Sequence, residues 1–256
     1  MSPFLKTAIA AAEAAQDIIN HYYAGEFEVE IKSDQSPVTI ADVETEKAIR
    51  GVLLDAFPGH GFYGEETGKI NPDADYNWLI DPIDGTKSFV RGYPFFSTQI
   101  ALMHRGELIL GVSNAPAFGE MAYAEKGAGA VLNGEAIAVS NTQELGLAAL
   151  SLGNIGSIAR QPQWQVVGEL ASEVHRIRGY GDFYHYHLLA SGKIDLVLES
   201  DVNILDIAAL SVIVNEAGGM FTDLEGKPLT LDTTSVLATN SAAMHAQVLQ
   251  RLRDAG

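Results

Sequence analysis

The stretch "IDPIDGTKSF", residues 80 to 89, places two aspartates three positions apart at the end of an apolar run. The run that ends at Ile80 reads as a buried strand, and the residues after Gly85 read as the start of a helix. A buried carboxylate is costly unless a metal, a cation or hydrogen bonds compensate its charge. Asp-Pro and Asp-Gly are also common turn dipeptides, so a plain turn is the alternative for Asp81 and Asp84 taken singly.

Composition bounds the class of protein. The chain has 256 residues, 47% of them hydrophobic, which is enough for one large domain or two smaller ones. No apolar run approaches the roughly 18 residues of a membrane span, so we expect no membrane partner. The absence of cysteine excludes disulfides and thiolate metal sites and is compatible with a cytoplasmic location. The formal net charge of −17 argues against nucleic acid, and an anionic ligand would need a metal to reverse the local field.

Periodicity divides the chain near residue 140. Residues 1–140 predict an α+β domain, with helices over 3–24 and 41–57, a hairpin within 27–39 that breaks at 34–37, and strands between about 78 and 137. Residues 141–256 predict an α/β domain, with strands at 148–154, 174–179, 193–200 and 235–240 and helices over 161–173, 182–192, 205–217 and 241–253.

Carboxylates beside apolar or glycine-rich sequence recur in two further segments. "YGEET" contains Glu65 and Glu66, and "NILDIAAL" contains Asp206. Each has an ordinary explanation, a solvated loop for the glutamates and a residue favoured by the helix dipole for Asp206. Together with Asp81 and Asp84 they form an oxygen-donor set without sulfur, which is the ligand chemistry of hard cations such as Mg²⁺.

The Gly-Thr pair after the second aspartate indicates that the site also binds an anion. A glycine between strand and helix lets the backbone approach a ligand closely. The N–H groups of Gly85 and Thr86 would then lie at a helix start, where phosphate binds. The pattern therefore predicts metal-assisted transfer of a phosphoryl group to water.

Four segments resemble the inositol monophosphatase family over the whole chain: "SPVTIADVETEKAI", "GEET", "WLIDPIDGTKSF" and "LDIAALSVIVNEAGG". The resemblance implies a layered αβαβα sandwich, a lithium-sensitive phosphomonoesterase that uses two or three Mg²⁺ ions, a small-molecule phosphate ester as substrate and a homodimer. A regulatory or scaffold member of the family without turnover is the alternative outside enzymes, and the retained carboxylates argue against it.

The resemblance also assigns roles by position. The metal ligands would be Glu65, Asp81, the backbone carbonyl of Ile83, Asp84 and Asp206, with Glu66 linked to a further, weaker ion. Thr86 would hydrogen-bond the attacking water, Glu65 would help to activate it, and Asp42 would orient Thr86. The chain departs from the family at Leu205, where a tryptophan is usual; the change removes an aromatic contact but no ligand.

The segment "YGDFYHY" resembles the histidinol-phosphate phosphatase branch of the family, which implies a step of histidine biosynthesis. Asp182 and Glu199 could pair with the cationic leaving group of that ester. Asp182 could instead be only a helix N-cap, and Glu199 would equally suit an inositol hydroxyl. Inositol-1-phosphate, sugar bisphosphates and nucleotides remain as alternative substrates. His185 and His187 do not share a helix face, which argues against a two-histidine metal site, and His60 and His104 read as surface residues.

Overall fold

The computed structural model of the protein describes residues 1–25, 29–31 and 37–254. The chain forms two compact units, one of residues 1–126 and 205–212 and the other of residues 127–204 and 213–256. This division differs from the sequence-based boundary near residue 140, because the first unit ends earlier and also includes the segment around Asp206. Within the described part of the chain, no helix is long and apolar enough to cross a membrane.

The first unit combines helices with strands of two sheets, one of which consists of β1 and β2 alone. Its helices are α1 (Pro3–Tyr23), α2 (Ile40–Ala56) and α3 (Thr86–Val90). Its strands are β1 (Val29–Ile31), β2 (Pro37–Thr39), β3 (Gly61–Gly64), β4 (Gly68–Ile70), β5 (Tyr76–Asp84), β6 (Ser97–His104), β7 (Glu107–Ala115) and β8 (Glu120–Glu125). Strands β8, β7, β6, β5, β3 and β4 lie side by side in that order, and only β3 and β5 pair in parallel.

Helix α1 shows how composition sets the packing of this unit. Its start is fixed by Ser2, whose hydroxyl accepts a hydrogen bond of 3.1 Å from the Leu5 amide. One face of the helix is rich in alanine and fully buried. Small side chains allow close approach, and Asn114 of β7 donates a 3.2 Å hydrogen bond to the Ala12 carbonyl. Helix α1 is therefore anchored on β7, which is separated from β5 by one strand.

The second unit contains a five-stranded sheet in the order β12-β11-β13-β15-β14, with parallel pairing of β11 to β12 and β13 and antiparallel pairing elsewhere. The strands of that sheet are β11 (Ala149–Leu152), β12 (Arg176–Arg178), β13 (Leu196–Ser200), β14 (Met220–Thr222) and β15 (Ser235–Thr239). The second unit also contains β9 (Ala130–Leu132) and β10 (Glu135–Ile137), which pair antiparallel with each other. Its helices are α4 (Ile155–Ile158), α5 (Trp164–Glu173), α6 (Asp182–Ala190) and α8 (Ala242–Asp254), and α7 (Ile204–Glu216) contributes residues 205–212 to the first unit.

Several sequence expectations need correction. The helix expected from residue 161 begins at Trp164, because Pro162 disfavours helical backbone at the residue before it. Strands β4 and β14 were not predicted, since each has only three residues. Strands β1 and β2 pair antiparallel as the hairpin requires, while residues 34–36 of its expected break lie outside the described residues.

His60 and His104 are not plain surface residues. Both are half-buried, and both rings stack on Tyr76, with centroid distances of 4.9 and 4.2 Å. Flat stacking removes ring surface from water, which explains why the two histidines are less exposed than their positions beside turns predict.

Candidate metal and phosphate site

An acidic cluster joins the end of β5 to the first turn of α7. The carboxylates of Asp81, Asp84 and Asp206 each place an oxygen within 4.8 Å of the other two. All three residues belong to the first unit. The structure therefore brings Asp206 to the neighbouring pair Asp81 and Asp84, from which it is distant in the sequence, and the motifs assign all three to one metal site.

A bulge in β5 allows two of these carboxylates to meet. In a regular strand, residues three positions apart point to opposite faces of the sheet. Here Asp81 pairs with Gln99 and Asp84 pairs with Ser97, so three steps along β5 correspond to two steps along β6. The extra residue shifts the alternation by one, as expected for a β-bulge, and lets both carboxylates reach the same cluster. Pro82, which has no N–H to contribute to a ladder, lies within this bulge.

The surroundings of Asp81 are those of a carboxylate that binds a cation. It is 3% exposed, and its Oδ1 atom has no hydrogen-bond partner among the described residues. Its pKa lies well above the ordinary value, first because of burial and then because of the negative charges of Glu65, Asp84, Asp206 and Asp42. A buried oxygen without a donor, surrounded by four other carboxylates, is stable in its ionised form only beside positive charge. The donor set is all oxygen, so it suits Mg²⁺.

Glu65 and Glu66 lie in the short loop between β3 and β4. The amide of Glu65 donates a 3.2 Å hydrogen bond to the carbonyl of Ile80, the residue before Asp81. Of the neighbouring charges, that of Glu65 raises the pKa of Asp81 most, which places the two groups within electrostatic reach. Neither glutamate belongs to the 4.8 Å cluster of three aspartates, so the loop forms a second part of the site.

Thr86 and Asp42 are in contact, as their expected roles require. The hydroxyl of Thr86 lies 3.3 Å from Oδ1 of Asp42 and 2.9 Å from the carbonyl oxygen of Ile83. Asp42 is 1% exposed and is held by Thr39, whose amide and hydroxyl both donate to its Oδ2 at 2.7 Å. Burial raises the pKa of Asp42, although the hydrogen bonds from Thr39 oppose that rise. The cap of α2 therefore fixes the acceptor beside Thr86.

The turn between β5 and α3 depends on Gly85. This residue has φ of 86°, in the region that favours glycine, and an added Cβ would lie 2.5 Å from the carbonyl oxygen of Phe95. Helix α3 then begins at Thr86, as predicted, and has five residues. The close backbone approach leaves no room for a side chain at this position.

Glu199 and Asp182, the residues expected to contact the leaving group, both lie in the second unit. Glu199 is 3% exposed; its Oε2 accepts a 2.6 Å hydrogen bond from the Tyr186 hydroxyl and lies 3.1 Å from Nε2 of His185. Asp182 is the first residue of α6, and the cap position before it is occupied by Gly181. Asp182 has φ of 46° and so lies at the non-helical entry of α6, one position after the assigned cap.

Sequence reasoning missed two contributors to these contacts. Glu46 of α2 accepts hydrogen bonds from the loop that carries Glu65 and Glu66, and His185 is fully buried against Glu199. The signal for Glu46 was its spacing of one helical turn from Asp42, which places both on one face of α2.

Comparison with known proteins places the whole chain in one family. The profile of the inositol monophosphatase family matches residues 1–256. Histidinol-phosphatase of Mycobacterium tuberculosis is 37% identical over 254 residues, covering 97% of this chain and 97% of its own length. Inositol-1-monophosphatase of Caulobacter vibrioides is 32% identical, covering 96% of this chain and 99% of its own length.

A solved structure shows the same fold. The crystal structure of the extragenic suppressor protein SuhB from Bartonella henselae superposes with a TM-score of 0.90 at 29% identity, covering 98% of this chain and 99% of that one. The expected α/β sandwich of the inositol monophosphatase type is thereby confirmed. The acidic cluster, the full-length family match and the fold lead to one conclusion: the chain belongs to the inositol monophosphatase family of metal-dependent phosphoric monoester hydrolases.

Proposed function

We propose that the protein hydrolyses histidinol phosphate to histidinol and phosphate with Mg²⁺ as cofactor. The observation that carries the metal dependence is Asp81, a buried carboxylate with an orphaned oxygen and four acidic neighbours. The substrate is supported by the histidinol-phosphatase of Mycobacterium tuberculosis, which this chain matches over nearly its whole length.

The proposed metal ligands are Asp81, Asp84, Asp206, Glu65 and the carbonyl of Ile83 for two ions, with Glu66 at a third, weaker position. When bound, Mg²⁺ supplies positive charge to the phosphate oxygens and lowers the pKa of the attacking water. Hydrogen bonds to side chains of the protein orient that water. A threonine hydroxyl has one proton, so when Thr86 donates to Asp42 its lone pairs can accept a hydrogen bond from water. Glu65 is the proposed acceptor of the water proton.

The backbone N–H groups of Gly85 and Thr86 are the proposed donors to the phosphate. Amides at such a turn can bind an anion without adding a basic side chain. This matters in a chain with a formal net charge of −17, where the attraction for phosphate must come from the site itself.

For the leaving group, we propose that Asp182 and Glu199 pair with the positive charge of histidinol. Asp182 is half-buried and has φ of 46°, a conformation that aspartate and asparagine tolerate better than most residues. Oε2 of Glu199 already accepts from Tyr186 and faces His185. Those contacts fix the carboxylate, so that the ligand would meet an acceptor already held in place.

Inositol-1-phosphate is the second candidate, favoured by the 32% identity to the Caulobacter vibrioides inositol-1-monophosphatase. A sugar bisphosphate or a nucleotide is a weaker candidate, because a second phosphate needs additional cations. The pocket segments identified in the sequence offer only Lys87, Arg91, Arg178 and Lys193.

A panel of phosphate esters assayed at fixed Mg²⁺ tests the substrate. We expect kcat/KM for histidinol phosphate to exceed that for inositol-1-phosphate. Asp182→Asn should lower the histidinol phosphate value roughly tenfold to hundredfold, the worth of a charge-assisted hydrogen bond, and leave inositol-1-phosphate unaffected. Asp201→Asn is the matched control, because Asp201 is an exposed aspartate of the same unit with φ of 61°. A wild-type preference for inositol-1-phosphate would replace the histidinol assignment by the second candidate.

We further propose that the protein acts as a cytoplasmic homodimer, as the resemblance to its family implies. Light scattering coupled to size-exclusion chromatography tests the dimer. A mass near the 27.4 kDa of a single chain at assay concentration would contradict it.

A further inference from the structure

Glu46 is a buried carboxylate, and within the described residues its hydrogen bonds go to one loop. It is 1% exposed, and its Oε2 accepts a 2.7 Å hydrogen bond from the Glu66 amide. Its Oε1 accepts from the amide of Thr67 at 2.8 Å and also from the Thr67 hydroxyl. A single side chain of α2 thus binds two successive backbone N–H groups beside the proposed metal ligands Glu65 and Glu66.

The loop is fixed on its other side as well. The amide of Glu65 donates to the carbonyl of Ile80 on β5, the strand that carries Asp81 and Asp84. Three consecutive amides, those of residues 65, 66 and 67, are therefore anchored, the first to β5 and the next two to Glu46. Anchoring of this kind restricts where the side chains of Glu65 and Glu66 can reach.

The loop packs directly on the carboxylate of Glu46. A Cβ added to Gly64 would lie 2.4 Å from Oε2 of Glu46, so only glycine permits this approach. From the next turn of α2, Arg50 donates a 3.2 Å hydrogen bond to the Thr67 hydroxyl. Carboxylate, glycine and arginine together define one position for the loop.

One face of α2 links both proposed catalytic segments. Asp42 and Glu46 are four residues apart and therefore neighbours on the helix surface. Asp42 contacts Thr86 of the segment after β5, whereas Glu46 binds the loop after β3. A rigid helix turn of this length sets the distance between the two segments.

We propose that Glu46 is a positioning residue that sets the metal affinity of the site by holding Glu65 and Glu66 against the aspartate cluster. The inference rests on the proposed function, since it takes the two glutamates as metal ligands. Groups that orient a ligand without touching the metal typically contribute roughly tenfold to hundredfold in metal affinity. Glu46 acts through backbone amides, so its effect appears in metal binding and in loop exchange, besides turnover.

The experiment compares wild type with Glu46→Gln, which keeps the shape of the side chain but replaces one acceptor oxygen by an NH₂ donor. Glu44→Gln is the matched control, because Glu44 lies on the same helix, is exposed and bonds only outward to the Tyr22 hydroxyl in the described structure. Mn²⁺ titration followed by electron paramagnetic resonance measures affinity, and hydrogen exchange by mass spectrometry measures the amides of residues 64–68.

We expect Glu46→Gln to weaken Mn²⁺ binding roughly tenfold or more and to accelerate exchange in the loop, while Glu44→Gln changes neither. Accelerated exchange with Mn²⁺ affinity equal to that of wild type would overturn the inference, because the hydrogen bonds of Glu46 would then stabilise the loop without affecting metal binding. If Glu46→Gln fails to fold, Thr67→Val removes one donor to Glu46 and should weaken Mn²⁺ binding roughly threefold. Unchanged affinity in that variant would overturn the inference too.

The affinities decide the role of Glu46 independently of turnover. A wild-type protein that binds Mn²⁺ but hydrolyses no ester of the panel would refute the proposed function, whereas the comparison of variants would still stand.

Discussion

Replacing Asp81 by asparagine should stabilise the metal-free protein and abolish its activity. At a separation of 4.8 Å and an effective dielectric constant of about 20, two carboxylates repel each other by about 3.5 kcal/mol, and Asp81 has two such neighbours in the cluster. Protonation relieves part of this cost, as the raised pKa of Asp81 shows. We therefore expect the metal-free variant to exceed wild type by on the order of 3 kcal/mol in free energy of unfolding at pH 8.

The dependence on pH and metal makes this prediction specific. A carboxyl whose folded pKa lies above its unfolded value stabilises the protein below the unfolded pKa, and that contribution is lost as pH rises through the folded pKa. Because the pKa of Asp81 and that of Asp42 are both raised, metal-free wild type should lose stability as pH rises from about 4. The metal-free Asp81→Asn variant should lose less stability over the same rise in pH, since only Asp42 of the two groups still titrates.

Urea unfolding in excess chelator and in saturating Mg²⁺ provides the assay. The free energy of unfolding of wild type should rise by about 2.7 kcal/mol at a Mg²⁺ concentration 100 times the dissociation constant, and that of Asp81→Asn should rise little. The reasoning is refuted if Asp81→Asn is no more stable than wild type in chelator, or if Mg²⁺ stabilises both proteins equally.

Three further outcomes follow from the site. Thr86→Ala should lower kcat roughly hundredfold with little change in KM, as steady-state kinetics would show, because the proposed contact is with the water and not the ester; an effect on KM alone would contradict this role. LiCl should inhibit turnover more than NaCl at equal ionic strength, and equal inhibition by both salts would count against lithium sensitivity. Gly85→Ala should destabilise the protein in urea more than Gly92→Ala, because both have positive φ but only at Gly85 does a Cβ meet backbone, at 2.5 Å; equal losses would remove the steric argument.

The local backbone structure around the aspartates could be predicted from the sequence, because these residues stand in one contiguous motif. Asp81, Asp84 and Gly85 stand together with a strand before them and a helix after them, and the structure has both elements. The resemblance added Asp42, which does contact Thr86. Hydrophobic periodicity also gave most helices of the second unit, with errors of a few residues at their ends.

What the sequence did not show depends on hydrogen bonds between distant residues. Glu46 binds amides 20 and 21 positions away; its spacing from Asp42 places it on the same helix face but does not show which loop that face meets. The bulge that turns Asp81 and Asp84 to one side is a matter of register against β6, which a single strand does not encode. Asp182 follows the general preference for aspartate at helix starts, yet the chain places Gly181 at the cap.

The first unit is discontinuous in the chain, and this has a consequence for its synthesis on the ribosome. Residues 127–204 are translated between its two parts, and at 5–20 residues per second they take roughly 4 to 16 s. During that interval Asp81 and Asp84 already exist, but Asp206 does not, and Gly111 lacks the backbone of Ala209 that otherwise lies against it. A nascent chain therefore acquires its complete aspartate cluster only after residue 206 has been added, so a metal held by all three aspartates could bind only once residues 127–204 have been made.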